Sequence, residues 1–180
     1  MTLWNLAAML AVAVAATQSP AGRVTAVPSV DLDRYLGPWF EIARFDNRFQ
    51  RVCAGDVTAE YARRSDGRID VVNRCRRMNG DITTASGVAR IVDTETRSKL
   101  AVRFAPAWLS WIPAVWGDYW IIGLAEDYSW AVVGTPDHKY LWVLSRTAVL
   151  APAQYRRAVD TARANGFDEG RLRLTTQSGK

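Results

Sequence analysis

From Trp39 onward the chain is a run of short segments rich in Val, Ile, Trp and Tyr. Each is closed by a turn signal, at Ser65-Asp66-Gly67, Asn79-Gly80-Asp81, Asp93-Thr94-Glu95 and Thr135-Pro136-Asp137-His138. Such spacing leaves room for tight turns but not for crossover helices, so successive strands run antiparallel as a meander. Strands are expected at Trp39–Phe45, Val57–Arg63, Arg68–Cys75, Thr83–Val92, Lys99–Phe104, Asp118–Ala125, Trp130–Gly134 and Lys139–Arg146. About eight up-and-down strands predict an all-β fold, a closed eight-stranded antiparallel barrel, because closure removes the exposed sheet edges.

Alternation tells the faces apart. Val57, Ala59 and Tyr61 are apolar where Thr58 and Glu60 are not, and Leu100, Val102 and Phe104 alternate with polar or charged neighbours such as Arg103. The inside is therefore the apolar face. A membrane-spanning barrel is excluded by the same pattern, which would turn Glu60, Asp70, Arg74 and Arg103 toward lipid. Tyr119–Leu124 and Tyr140–Leu144 are apolar on both faces and need cover outside as well. One C-terminal helix over Pro152–Ala164 can supply it, with Tyr155, Ala158, Val159 and Ala162 on one side, charged residues on the other and Gly166 beyond its end. A short strand near Arg171–Thr175 follows.

The uncharged stretch Leu6–Ala16 has the length of a signal-peptide core and is too short to span a bilayer, so residues 1–21 read as an export signal and 22–180 as one domain. No Cys precedes Cys53, so no acyl anchor on a cysteine is expected. Cys53 and Cys75 flank the hairpin of the second and third strands at similar distances from its turn, where their side chains can meet as a disulfide in an oxidising compartment. Two cysteines and one histidine offer no metal cluster, and no cofactor motif is present. The net charge of +5 is spread along alternating strands rather than gathered on a helix or stacking platform, which argues against nucleic acid.

Three motifs point to a family. Gly37-Pro38-Trp39 continues as Phe40-Glu41-Ile42-Ala43-Arg44, Glu126-Asp127-Tyr128 lies between the sixth and seventh strands, and Leu141-Trp142-Val143-Leu144-Ser145-Arg146-Thr147 closes the eighth. Their order and separation resemble the lipocalins, within them the branch of bacterial lipocalins, apolipoprotein D and plant temperature-induced lipocalins, over Val27–Gln177. The usual Thr of the second motif is replaced here by Glu126. The resemblance makes Gly37, Trp39, Asp127, Tyr128 and Arg146 structural. The resemblance implies that Arg146 stacks on the Trp39 indole and hydrogen-bonds to the neighbouring turn, closing the barrel floor.

Alternate turns of a meander share one end, so Asp46–Cys53, Arg76–Ile82, Ala105–Gly117 and Thr135–His138 surround the mouth. Ala105–Gly117 carries no charge, yet holds Trp108, Leu109, Trp111, Ile112 and Trp116. It reads as a lid, a membrane-interface loop or a dimer patch, with Arg48, Arg51, Arg76 and Arg77 placed to hold anionic lipid headgroups. Alternation and the family resemblance together put Ala43, Val57, Ala59, Tyr61, Val71 and Asn73 on the inner face of the early strands. Leu100, Val102, Phe104, Tyr119, Ile121, Tyr140 and Trp142 follow on the later ones. Tyr61, Asn73 and Tyr140 are the polar candidates for a ligand headgroup.

These features imply non-catalytic carriage of an apolar ligand, a fatty acid or lysophospholipid, by a monomer or weak homodimer. Resemblance to the bacterial branch places it in the periplasm or peripherally on the outer membrane, in membrane lipid maintenance. The alternative is a lipocalin-fold isomerase of lipids or isoprenoids using Cys53, for which His138, expected as a solvated turn residue, makes a poor base.

Overall fold

The computed structural model describes residues 22–178, and of Trp108 the backbone alone. A short helix α1 (Leu32–Tyr35) leads into β1 (Gly37–Phe45), β2 (Cys53–Arg63), β3 (Ile69–Arg77), β4 (Ile82–Ile91), β5 (Lys99–Arg103), β6 (Gly117–Leu124), β7 (Trp130–Gly134) and β8 (Leu141–Ser145). Helix α2 (Pro152–Ala164) and a short β9 (Leu172–Leu174) complete the chain. Neighbouring strands are antiparallel, and β1 pairs with both β2 and β8, so the sheet closes into an eight-stranded barrel with β9 added beside β1.

Bulges explain where the strands depart from simple alternation. Strand β2 starts at Cys53 rather than Val57 because register shifts on either side of Gly55 interrupt its period. In β1, Glu41 stands opposite Leu144 but Ala43 stands opposite Val143, so one residue is looped out between them. A one-residue shift reverses every following side chain. Trp39 and Glu41 face inward, and beyond the bulge Arg44 faces inward while Ala43 and Phe45 face out.

The wall between β1 and β2 is closed in two different ways. Gly37–Phe40 pair directly with Thr58–Tyr61. Further along the strands part, and the segment after β9 fills the gap. The Thr175 amide donates to the Ile42 carbonyl at 2.9 Å, and the Asp56 amide donates to the Thr176 carbonyl at 2.8 Å. The Gln177 side-chain amide donates to the Glu41 and Val57 carbonyls at 2.7 and 3.0 Å, tying one strand to the other. Gly55 permits this approach, since a Cβ there would lie 2.6 Å from the Thr176 carbonyl oxygen.

Two apolar cores result. One fills the lower barrel and includes Leu32, Tyr35, Trp39, Val71, Ile121, Val133 and Leu144. The other lies outside the wall, where Ala158 and Ala162 of α2 pack with Phe167 on Phe45, Ile122, Val132 and Val143. This second core is the cover that the doubly apolar late strands require. On the uncovered wall, Glu60 pairs with Arg74 at 2.9 Å with both side chains about half exposed.

Candidate functional site

The floor of the barrel is built first by sequence-local elements. Asp31 caps α1 by accepting from the Asp33 and Arg34 amides. The exposed carbonyls at the helix end then meet Arg146, which donates to the Arg34, Tyr35 and Pro38 carbonyls and lies 3.8 Å from the Trp39 ring centre. Trp39 is fully buried, and its indole N–H donates to the Tyr35 carbonyl at 2.8 Å. Tyr128, in the left-handed region at φ 62°, accepts from the Asp31 amide and lies under Arg34. Asp127 accepts from the Ser129 amide in the same turn.

Above this floor, the inner faces grade from buried to open. Val71, Leu100, Ile121 and Val133 are buried, whereas Ala59, Asn73, Val102, Tyr119 and Trp142 are partly exposed. Ala85 shares a ladder position with Asn73 and is exposed despite facing inward. The barrel is thus sealed below and open above. Small residues make that room on one side, and at Gly87 a Cβ would lie 2.7 Å from the Phe104 ring. Phe104 therefore closes over β4 at the rim, about half exposed.

At mid-depth, three phenols meet. The Tyr119 hydroxyl lies 2.8 Å from those of both Tyr35 and Tyr61. Burial pushes all three up: Tyr61 to about 12, Tyr35 and Tyr119 well above the ordinary phenol value. They therefore serve as neutral donors throughout the physiological range. The void they share with Leu32, Ile69, Ala89, Leu100 and Val102 is about 10 Å³, scarcely one water molecule.

A polar cluster occupies the inner wall nearer the mouth. Glu41, only 3% exposed, accepts from Arg44 Nη1 at 2.8 Å, from the Thr175 hydroxyl at 2.5 Å and from the Gln50 amide at 2.6 Å. Gln50 in turn accepts from the Trp142 indole at 3.1 Å. Tyr140 stacks on Trp142 and meets Phe49 at the rim. The Asn73 side-chain oxygen is buried without a hydrogen-bond partner among the described residues.

A lipocalin-like domain model matches residues 30–177. The chain belongs to the lipocalin family. This lipocalin is 39% identical over 154 residues to temperature-induced lipocalin-1 of Arabidopsis thaliana, covering 84% of this chain and 82% of the relative. It is 37% identical over 174 residues to the outer membrane lipoprotein Blc of Escherichia coli K12, covering 96% and 93%. Among solved structures it resembles insecticyanin of the tobacco hornworm Manduca sexta, with a TM-score of 0.68 at 20% identity over 88% of this chain and 87% of that one. Lipocalins bind small hydrophobic ligands, which agrees with the apolar interior described above.

Several sequence-derived positions need correction in this lipocalin. Ala43 does not line the interior; the β1 bulge turns it into the outer core beneath α2, and Arg44 takes the inward place. Val57 is buried beside the β2 bulges and joins neither apolar core. The Ala105–Gly117 loop forms two single turns, Ala107–Leu109 and Pro113–Val115, and lays Trp116 on the outer wall over Arg90 and Arg103. Arg76 is not free for lipid, being paired with Asp56 at 2.6 Å. His138 is partly buried rather than fully solvated: its ring packs on Phe167, and Nε2 lies 2.9 Å from the Asn165 carbonyl.

Cys53 and Cys75 form a disulfide, so Cys53 is not a thiolate nucleophile in this state. Among the described residues no His, Cys, Asp and Glu group could hold a metal ion, and no helix is long and apolar enough to cross a membrane. The proposed export signal at 1–21 lies outside the described residues. Sequence reading missed Glu41, which alternation from Trp39 already turns inward, Arg44, whose inward placement depends on a bulge that alternation does not announce, and Gln50, which lies in the turn after β1. A charged pair inside an otherwise apolar strand was the available signal.

Proposed function

We propose that this lipocalin is a non-catalytic carrier of a single-chain lipid, a fatty acid or lysophospholipid, taken up through the open end of the barrel. The observation that carries the reading is the gradient along the inner wall, from a sealed apolar floor to inward-facing residues such as Ala85 that remain exposed. An acyl chain entering there is favoured by about 0.8 kcal/mol per buried methylene. Incubation of the disulfide-bonded protein with oleate or lysophosphatidylcholine, followed by native mass spectrometry, should give a one-to-one complex. A protein that stays empty with both lipids refutes the carrier reading.

The rim supports delivery to and from a membrane surface. Phe49, Val52, Met78, Ile82, Phe104 and Trp111 are exposed around the mouth, Met78 by 87% and Trp111 by 77%. Exposed Arg48, Arg51 and Arg77 accompany them. Apolar side chains ringed by cations suit an anionic bilayer, as does an envelope location. Sedimentation with phosphatidylglycerol vesicles should capture the wild type and release a Phe49→Ser/Trp111→Ser variant; equal capture of both overturns the docking surface.

A further inference from the structure

Arg44 is the one cation that the β1 bulge turns into the barrel, and its surroundings leave it half used. It stands directly opposite Trp142, a residue of the inner wall. Its side chain is 14% exposed. Only Nη1 is engaged, donating to Glu41 at 2.8 Å and to the Thr175 hydroxyl at 3.1 Å. Nε is buried and has no hydrogen-bond partner among the described residues. Nε and Nη2 form the other edge of the planar guanidinium, two parallel N–H donors matched to the two oxygens of a carboxylate or phosphate. Glu41 meets Arg44 through Nη1 alone, and its oxygens also accept from Thr175 and Gln50.

A second observation points the same way. Strand β9 sets Arg173 directly across the ladder from Arg44. Like charges in facing positions repel, and Arg173 approaches a carboxylate only at 3.7 Å, that of Asp46. The seam between β1 and β9 therefore sets two cations, Arg44 and Arg173, side by side, with Glu41 and Asp46 as their carboxylate partners. Below it lie the aromatic wall of Trp142 and the apolar lower barrel.

We propose that the free edge of Arg44 receives the anionic head of the ligand, a lipid carboxylate or phosphate, with the acyl chain directed toward the floor. This rests on the carrier reading above and sharpens it: the barrel selects acids over neutral lipids of equal chain length.

The test is titration calorimetry with oleate, lysophosphatidate and oleyl alcohol. Wild-type protein should prefer oleate and lysophosphatidate to the alcohol by about tenfold to a hundredfold, the range for a charge-assisted pair of hydrogen bonds. Arg44→Gln combined with Glu41→Gln, which leaves no lone buried charge, should abolish that preference without changing affinity for the alcohol. Arg44→Lys keeps a partner for Glu41 but not the fork, so it should lose part of the preference; it gives the answer if the double variant does not fold. Equal wild-type affinity for oleate and oleyl alcohol overturns the assignment while sparing the carrier reading, whereas failure of every lipid to bind overturns both. Loss of alcohol binding in the double variant, or displacement of oleate by inorganic phosphate, also overturns it, the first by making Arg44 structural and the second by making the site one for free anions.

Discussion

The Arg146 guanidinium lies 3.8 Å from the centre of the Trp39 indole, joining the strand that opens the barrel to the one that closes it. The same side chain donates to the Arg34, Tyr35 and Pro38 carbonyls. Arg146→Ala removes all of these at once and should cost about 2–4 kcal/mol. Urea unfolding followed by tryptophan fluorescence measures it; a loss below about 1 kcal/mol would show that solvent replaces Arg146 at the floor.

The Tyr119 hydroxyl is the only link between those of Tyr35 and Tyr61 among the described hydrogen bonds. Tyr119→Phe should destabilise by about 1–3 kcal/mol, because both remaining phenols stay buried without it. Titration gives a second view. The folded-state values of these phenols are raised, so their contribution is complete below the ordinary value near 10. It is lost as pH rises beyond that value, when the unfolded chain ionises first. Absorbance near the phenolate band should show three of the six tyrosines silent until the protein unfolds.

Asp56 is held down to about 2, first by the Ser178 backbone N–H, then by Arg76 and the Ser178 hydroxyl. A lowered carboxyl contributes stability above its unfolded value of about 3.8 and loses it as pH falls toward about 2. The stability gap between wild type and Asp56→Asn should be about 1–2 kcal/mol at neutral pH and close over that acid interval. A gap independent of pH would mean that the Asp56 charge does not hold the seam.

The Cys53–Cys75 bond closes a segment with a sequence separation of 22. By loop entropy, Cys53→Ser with Cys75→Ser should lower stability by about 3 kcal/mol. Chemical denaturation of the two proteins under non-reducing conditions provides the comparison.

The opposite faces of β1 and β2 can be told apart by enlargement. Ala43→Leu crowds the outer core and should cost about 1–3 kcal/mol while leaving oleate affinity intact. Ala59→Leu fills the open interior and should weaken oleate binding with little change in the unfolding midpoint. The reverse pattern would place the β1 bulge elsewhere.

Much of this architecture is legible in the residues themselves. Alternation at Leu100 and Val102, turn signals such as Asn79-Gly80, and the spacing of Ala158 and Ala162 lead directly to strand, hairpin and helix, because each depends on neighbours a few positions away. The helix limits Pro152–Ala164 agree between sequence and structure. The charged part of the candidate site was not legible. A bulge after Glu41 costs no special residue, so nothing local distinguishes Ala43 facing in from Ala43 facing out. Trp116 shows a related limit: an apolar loop announces that it needs cover, but not that Arg90 and Arg103 on the outer wall will supply it.

The seam filled by Thr175–Ser178 also sets an order of events. Strands β1 and β2 are among the first made, yet the wall between them is finished by residues more than a hundred positions downstream, so closure is a late, long-range step of folding. Any chain ending before Thr175 keeps unpaired strand edges beside Ile42 and Asp56. Such edges are templates for another molecule's strand, and the incomplete barrel is therefore the form most exposed to tail exchange between copies.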